Sequence, residues 1–159
     1  MSITTTTGLD GAALEAWRSY LQSHASILRE LDAELVAEHG MTSRDYEVLL
    51  YLAQADEQRL PMSALAERTM LTRSGITRLI DGLVSCALIE RVSCATDARI
   101  SYARLTDAGR DKLRDAGYTH TAGIRRLFLE HFSAEEIDTL AALLSRLPGY
   151  HPGETCSVE

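Results

Sequence analysis

The sequence predicts a mainly α-helical fold with one small β-hairpin. Over most of the chain, apolar residues recur at alternating spacings of three and four, which is typical of helices with one buried face. After Ala87 the spacing changes to about two over two short segments, which is typical of half-buried strands. At 159 residues, 45% of them hydrophobic, the chain is long enough for one buried core and too short for two full domains.

A long helix is predicted near the N-terminus, over about residues 10–39. Asp10 is a suitable N-cap residue, and Gly40 suits the left-handed position that often follows a helix. Such a helix is longer than one small core requires, so we expect part of it to pack against a second subunit. Its apolar stripe contains Leu14, Trp17, Leu21, His24, Leu28, Leu31 and Leu35.

Three shorter helices are predicted in the middle of the chain. The first begins at a capping-box pattern and covers about residues 42–55, before a polar loop at residues 56–61. The other two cover about residues 62–69 and 73–86, with a tight turn between them that ends at the N-cap residue Thr72. Two short helices joined in this way form a helix-turn-helix.

A hairpin and two further helices complete the predicted order. Residues 88–92 and 100–105 form the two strands, and a hairpin directly after a helix-turn-helix is a wing. Thr106 caps a helix that we expect to end near Phe132. Ser133 begins a second capping box and a last helix, which Pro148 stops after Leu147.

Together these elements predict one winged helix-turn-helix domain with long N- and C-terminal helices. The predicted boundaries are residues 10–150 for the domain, about 42–105 for the winged module, about 10–39 and 106–147 for the long terminal helices, and 1–9 and 151–159 for disordered ends.

Charge is distributed unevenly along the chain. The net charge of −7 argues against a polyanionic partner for the molecule as a whole. Between Arg68 and Arg104, however, six arginines face only three acidic residues, a local surplus of three positive charges. A basic middle between acidic ends indicates a local nucleic-acid surface.

Several function classes have no motif in this sequence. There is no nucleophile elbow, phosphate loop or HExxH pattern, so we expect neither an enzyme nor a cofactor. Cys86 and Cys94 lack the close spacing of zinc ligands, so we expect no metal site. With Cys156 the cysteine count is odd, which indicates free thiols in a reducing compartment. No segment is predicted to span a membrane or direct secretion, and we expect a cytoplasmic protein.

Four motifs follow one another along the chain: Leu71–Asp81, Leu88–Arg91, Asp97–Arg99 and Leu105–Arg110. In this order and at these separations they resemble the MarR family of bacterial transcriptional regulators over roughly residues 12–147. The resemblance implies a triangular homodimer in which the long N- and C-terminal helices, about residues 10–39 and 106–147, are dimerisation helices. It also implies binding to pseudo-palindromic operators on double-stranded DNA, often as a repressor, and often release of DNA when a small molecule or an oxidant acts. Two positions depart from the family pattern: Ala87 replaces a common glycine, and the wing lacks a second basic residue beside Arg99.

The start of the second helix of a helix-turn-helix enters the major groove of DNA, so exposed polar residues there are candidate contacts. Arg73 and Arg78 are the best candidates for base contact, because a guanidinium can pair with guanine through two hydrogen bonds. Arg99 is expected to reach the minor groove, with Asp97 orienting it. The predicted DNA-binding residues are Thr72, Arg73, Ser74, Gly75, Thr77, Arg78, Arg91, Asp97 and Arg99.

Two further hypotheses concern regulation. An aromatic wall with a cationic group suits a small aromatic or phenolic ligand, although packing or a dimer interface explains the same residues. Cys86 and Cys94 flank the first wing strand and suggest a redox-responsive regulator, although ordinary buried or bystander thiols also explain them. A further alternative concerns the function itself: the winged helix could serve only for protein–protein contact, without DNA binding. The candidate ligand residues are Trp17, Tyr20, His24, Arg44 and Tyr46.

Overall fold

The computed structural model describes residues 11–93 and 99–148. The predicted disordered ends and the tip of the hairpin, including Asp97, lie outside these residues. Six helices and three strands form the described part of the chain. In chain order they are α1 (Gly11–His39), α2 (Ser43–Gln54), β1 (Arg59–Pro61), α3 (Met62–Arg68), α4 (Arg73–Ser85), β2 (Ile89–Ser93), β3 (Ser101–Leu105), α5 (Asp107–Leu127) and α6 (Ala134–Leu144).

Side-chain caps fix the starts of four helices, as the sequence predicts. At each start a hydroxyl oxygen accepts a hydrogen bond from the backbone N–H three residues later, which satisfies a donor that the helix itself leaves free. Two of the caps are complete capping boxes, because a carboxylate also accepts from the backbone N–H of the cap residue. The four cap residues are Thr42, Thr72, Thr106 and Ser133.

The wing is a three-stranded antiparallel sheet in the order β1-β3-β2, rather than a two-stranded hairpin alone. The predicted polar loop at residues 56–61 contains the extra strand, in which Leu60 pairs with Ala103. Three residues that include Pro61 are too few to show an alternating pattern, so the sequence carries no strand signal there. Pairing with β3 alone makes this segment a strand.

The two C-terminal helices are shorter than predicted. Helix α5 ends at Leu127 instead of near Phe132, because Phe128 leaves helical geometry at φ −130° and ψ −63°. A short 3₁₀ turn follows, and the rings of Phe128 and Phe132 pack edge to face with centroids 5.5 Å apart. Helix α6 ends at Leu144, before the predicted Leu147.

The core lies where α2, α3 and α4 meet the sheet and the first half of α5. Ala87, two residues after the end of α4, has a φ of 57°, the left-handed conformation that a glycine adopts at lower cost. This left-handed backbone conformation explains why glycine is common at this position in the family. The largest fully buried side chains are Leu35, Val48, Leu49, Leu52, Leu65, Thr69, Ile76, Ile80 and Ile89.

Most of the apolar stripe of α1 lies outside this core. Of the seven predicted stripe residues, only Leu31 and Leu35 are buried, whereas Trp17 is 52% exposed and Leu28 is 49% exposed. Helix α6 buries none of its residues in the single chain. Helices α1 and α6 therefore present apolar surface that the chain itself does not cover.

Candidate nucleic-acid interface

Helix α4 has one buried face and one polar, exposed face. Its buried side chains pack into the core beneath the sheet, and Ile76, Ile80 and Leu83 are at most 4% exposed. The exposed face forms one shallow, open depression, which we name the α4 groove. The α4 groove is lined by Thr72, Arg73, Ser74, Thr77, Arg78 and Asp81.

The hydroxyls at the start of α4 are already engaged within the helix. Thr72 Oγ1 accepts from Gly75 N–H at 3.1 Å and lies 3.2 Å from the hydroxyl of Ser74. Thr77 donates its hydroxyl to the carbonyl oxygen of Arg73 at 2.8 Å. The threonine hydroxyls can thus still accept hydrogen bonds, but the guanidinium groups are the main donors of the groove.

Gly75 has a local role at this helix start. A Cβ atom at this position would lie 3.2 Å from Thr72 Oγ1 and 3.6 Å from the Cβ of Leu71. The absent side chain therefore makes room for the N-cap, in addition to any close approach by a partner.

The arginines around the groove fall into two groups. Arg91 is ion-paired with Asp81 at 2.6 Å, and Arg104 is ion-paired with Glu90 at 2.7 Å. Within residues 11–93 and 99–148, Arg73 and Arg78 have no carboxylate partner. Arg73 and Arg78 therefore give the groove positive charge that no carboxylate of the described residues pairs with, whereas the strand arginines Arg91 and Arg104 are paired.

Two other arginines of the basic segment lie elsewhere on the winged module. Arg99 is exposed just before β3, next to the undescribed tip of the wing that contains Asp97. Arg68 stacks over the ring of Tyr51, with its guanidinium carbon 5.4 Å from the ring centroid.

Sequence reasoning missed Asp81 as a residue of this surface. It lies three positions after Arg78 and four after Thr77, which places all three on one face of a helix. This helical spacing could have predicted from the sequence that Asp81 lies on the same surface.

The five candidate ligand residues fall into separate groups within one chain. Trp17, Tyr20 and His24 stack along α1, with successive ring centroids 6.2 and 6.0 Å apart. Tyr46 is instead buried, 4% exposed, with its ring centroid 4.7 Å from that of His120.

Arg44 belongs to neither group. Its guanidinium donates to the carbonyl of Thr69 at 3.0 Å and to Glu47 at 3.1 Å. The backbone N–H of Ser43, the residue before Arg44, donates to Asp32 of α1, which shows where Arg44 meets that helix. Asp32 is twelve residues from Tyr20, which is about 18 Å along the helix at about 1.5 Å per residue. A single chain therefore does not gather the five into one pocket.

His120 occupies an apolar position on α5. Burial lowers the pKa of its imidazole below the ordinary value of 6.5. Its Nδ1 is buried and, in the part of the chain that the structure covers, makes no hydrogen bond.

The cysteine hypothesis depends on a residue outside the described range. Cys86 is an exposed free thiol at the end of α4, whereas Cys94 and Cys156 lie outside the described residues. Among residues 11–93 and 99–148, no three potential metal ligands come together, and no helix is both long and apolar enough to cross a membrane.

The chain is similar to proteins of known type. The sequence profile of the MarR family matches residues 39–100. The HTH-type transcriptional repressor YetL of Bacillus subtilis is 27% identical over 139 residues, which are 87% of this chain and 82% of YetL.

Solved structures give the same family. AbsC, a MarR family transcriptional regulator from Streptomyces coelicolor, is 30% identical with a TM-score of 0.80, over 87% of this chain and 93% of AbsC. Sco3205, a MarR family regulator from the same organism solved in complex with DNA, is 28% identical with a TM-score of 0.80, over 86% of this chain and 88% of Sco3205.

Proposed function

Because the chain belongs to the MarR family of transcriptional regulators, we propose that it represses transcription as a homodimer bound to a pseudo-palindromic operator. It is a DNA-binding regulator of the winged helix-turn-helix class and not an enzyme. The observation that carries the proposal is the α4 groove. Its two arginines without carboxylate partners in the described residues, Arg73 and Arg78, lie on the exposed face of a helix whose opposite face is buried in the core.

Helix α4 has the properties of a recognition helix. Its exposed start carries the N-cap Thr72 and two guanidinium groups, and a major groove about 12 Å wide admits a helix. Arginine can pair with the O6 and N7 atoms of guanine through two hydrogen bonds, which supplies sequence discrimination. In the proposed complex Arg99, which is exposed just before β3, would contact the adjacent minor groove as part of the wing.

The uncovered apolar surface of α1 and α6 supports a homodimer. Exposed large apolar side chains such as Leu21 and Leu143 cluster on these two helices, and water contact with them is unfavourable. A second copy of the chain, related by a two-fold axis, can cover both helices at once. Its two recognition helices would then meet successive major grooves about 34–36 Å apart.

Release of DNA by a small aromatic or phenolic ligand is the finer part of the proposal. The stack of Trp17, Tyr20 and His24 offers exposed aromatic surface for such a ligand. A panel of aromatic acids added to the DNA complex tests it, and ligand-dependent release that is lost in His24→Ala would support this site. No release with any member of the panel would contradict it.

Selection of DNA from a random duplex pool tests the main proposal. The purified protein should enrich a sequence with two related half-sites, and binding should weaken steeply as salt rises, because phosphate neutralisation releases counterions. A winged helix used only for protein–protein contact would bind no duplex at any salt concentration. Enrichment of a single half-site by a monomer would refute the homodimer.

A further inference from the structure

One residue of the α4 groove has the wrong charge for a DNA-binding surface. Asp81 is the only acid among the six residues that line the groove, and its side chain is 62% exposed. A duplex bound in the α4 groove by Arg73 and Arg78 would bring its phosphates near this carboxylate. Its charge opposes binding, whatever the base sequence.

The carboxylate of Asp81 also holds an arginine of the wing. Asp81 Oδ1 accepts a hydrogen bond from Arg91 Nη2 at 2.6 Å, so the ion pair joins α4 to β2. Arg91 is opposite the buried Ala103 in the sheet, which places it on the face that packs toward the helix. Its guanidinium is therefore neutralised at the edge of the groove.

A second ion pair on the same strand provides a comparison. Glu90 is next to Arg91 and is paired across the sheet with Arg104, so successive side chains place this pair on the opposite face. The Glu90 side chain is 49% exposed, but it does not line the α4 groove. The two pairs have the same chemistry and differ in location.

We propose that Asp81 is a specificity-determining residue that suppresses sequence-independent DNA binding by holding Arg91 away from the phosphates. An arginine free to contact phosphate would add affinity for every sequence alike, and would dilute the discrimination that base contacts provide. With Arg91 held, discrimination depends on Arg73 and Arg78. Because it deepens the proposed function, the inference requires that the protein bind duplex DNA.

The test measures affinity for a random-sequence 30-base-pair duplex across a salt series. Asp81→Asn keeps the shape of the side chain but removes its charge, which frees Arg91. Each new phosphate contact steepens the dependence of log affinity on log salt by about 0.9 and raises affinity roughly eightfold at about 0.1 M salt. We expect that change per subunit in D81N, and we expect it to be absent in D81N/R91A.

Two single variants complete the design. Arg91 is one of the residues that the sequence predicts to contact DNA, but under this proposal its ion pair with Asp81 keeps it from the phosphates. Arg91→Ala should therefore leave the salt slope of the parent unchanged. Glu90→Gln, the matched control, removes the same charge from the opposite face of the sheet and should also leave the slope unchanged. Circular dichroism verifies that each variant is folded.

The possible outcomes distinguish the role of Asp81 from the proposed function of DNA binding. An unchanged or shallower slope in D81N, a slope shallower by about 0.9 per subunit in R91A, or equal steepening in D81N and D81N/R91A would each overturn the role of Asp81. Failure of the parent to bind any duplex would instead refute the proposed function.

Discussion

At the residue scale, the arginines of the winged module differ mainly in what already neutralises them. Arg91 and Arg104 have carboxylate partners at 2.6 and 2.7 Å, whereas Arg73 and Arg78 have none in the described ranges. A guanidinium without a partner can use its full set of donors on a base or phosphate. The position of a charge relative to its neighbours therefore matters more here than the charge count.

Replacement of Arg73 or Arg78 by Ala should weaken binding to the selected operator. If the contact is to a base, we expect a loss of about 1–3 kcal/mol and relaxed preference at one position of each half-site. Fluorescence anisotropy with operator duplexes that differ at single positions measures both effects.

Arg114→Ala is the matched control for this experiment. Arg114 lies on α5, is ion-paired with Asp111 at 3.0 Å and does not line the α4 groove. It should bind the operator with the affinity of the parent. Equal affinities for the parent, R73A and R78A would remove both residues from the recognition surface.

Burial of His120 predicts that stability depends on pH. Because burial lowers the folded-state pKa below 6.5, the unfolded chain binds the proton more readily, so stability is full above pH 6.5 and falls as the pH drops below it. His120→Gln should remove much of this loss. Urea unfolding at several pH values between about 7.5 and 5 measures the free energy of unfolding in parent and variant.

His131→Gln serves as the control, since it removes an imidazole that is exposed. This variant should lose stability on acidification as the parent does. A parent whose stability does not change between these pH values would contradict the assigned cause.

At the element scale, the start of α5 is in close contact with the backbone of the short segment between α4 and β2. The carbonyl oxygen of Leu88 accepts hydrogen bonds from both the backbone N–H and the hydroxyl of Thr106, at 3.1 and 3.0 Å. A Cβ atom on Gly109 would lie 2.1 Å from that same oxygen. The contact therefore requires glycine, and it fixes α5 relative to the wing.

Gly109→Ala should destabilise the fold by about 3 kcal/mol, because the clash is with backbone and cannot be relieved by a side-chain rotation. Thermal and urea unfolding measure the change. Gly82→Ala is the matched control, since a Cβ there meets nothing within 4 Å inside helix α4. That variant should gain about 0.5–1 kcal/mol, and similar effects for both substitutions would contradict the close contact.

At the scale of the whole molecule, the chain has apolar surface in two different settings. Met70 is exposed alone in the turn of the helix-turn-helix, whereas Leu21 and Leu143 belong to the uncovered faces of α1 and α6. Single exposed apolar side chains are ordinary, but contiguous ones on long helices indicate an interface. The proposed homodimer accounts for the second setting.

Leu21→Asp combined with Leu143→Asp should disrupt the homodimer, because two charges would be buried without partners at the interface. Light scattering after gel filtration should show about 35 kDa for the parent and the single-chain mass of 17.5 kDa for the variant. Met70→Asp is the control and should retain the parent mass. A parent of single-chain mass, or a variant that remains paired, would contradict the interface.

Features that depend on residues close together in the sequence were predicted correctly, whereas features that depend on packing between residues or elements were not. Thr72 and Thr106 cap their helices as expected, because an N-cap needs only a hydroxyl and a backbone N–H three residues later. The strand β1 was missed because only its pairing partner, β3, makes it a strand. The end of α5 was placed too late because Phe128 and Phe132 pack on each other in a turn, although their spacing also suits a helix.

The sequence by itself determined the order of the six helices and the two hairpin strands, the starts of four helices and the exposed face of α4, since periodicity and capping are properties of neighbouring residues. Only the tertiary structure decided which arginines are neutralised, because Asp81 meets Arg91 across ten positions of the chain. It also separated Tyr46 from the aromatic stack on α1. Distances between elements are set by packing, which no local pattern encodes.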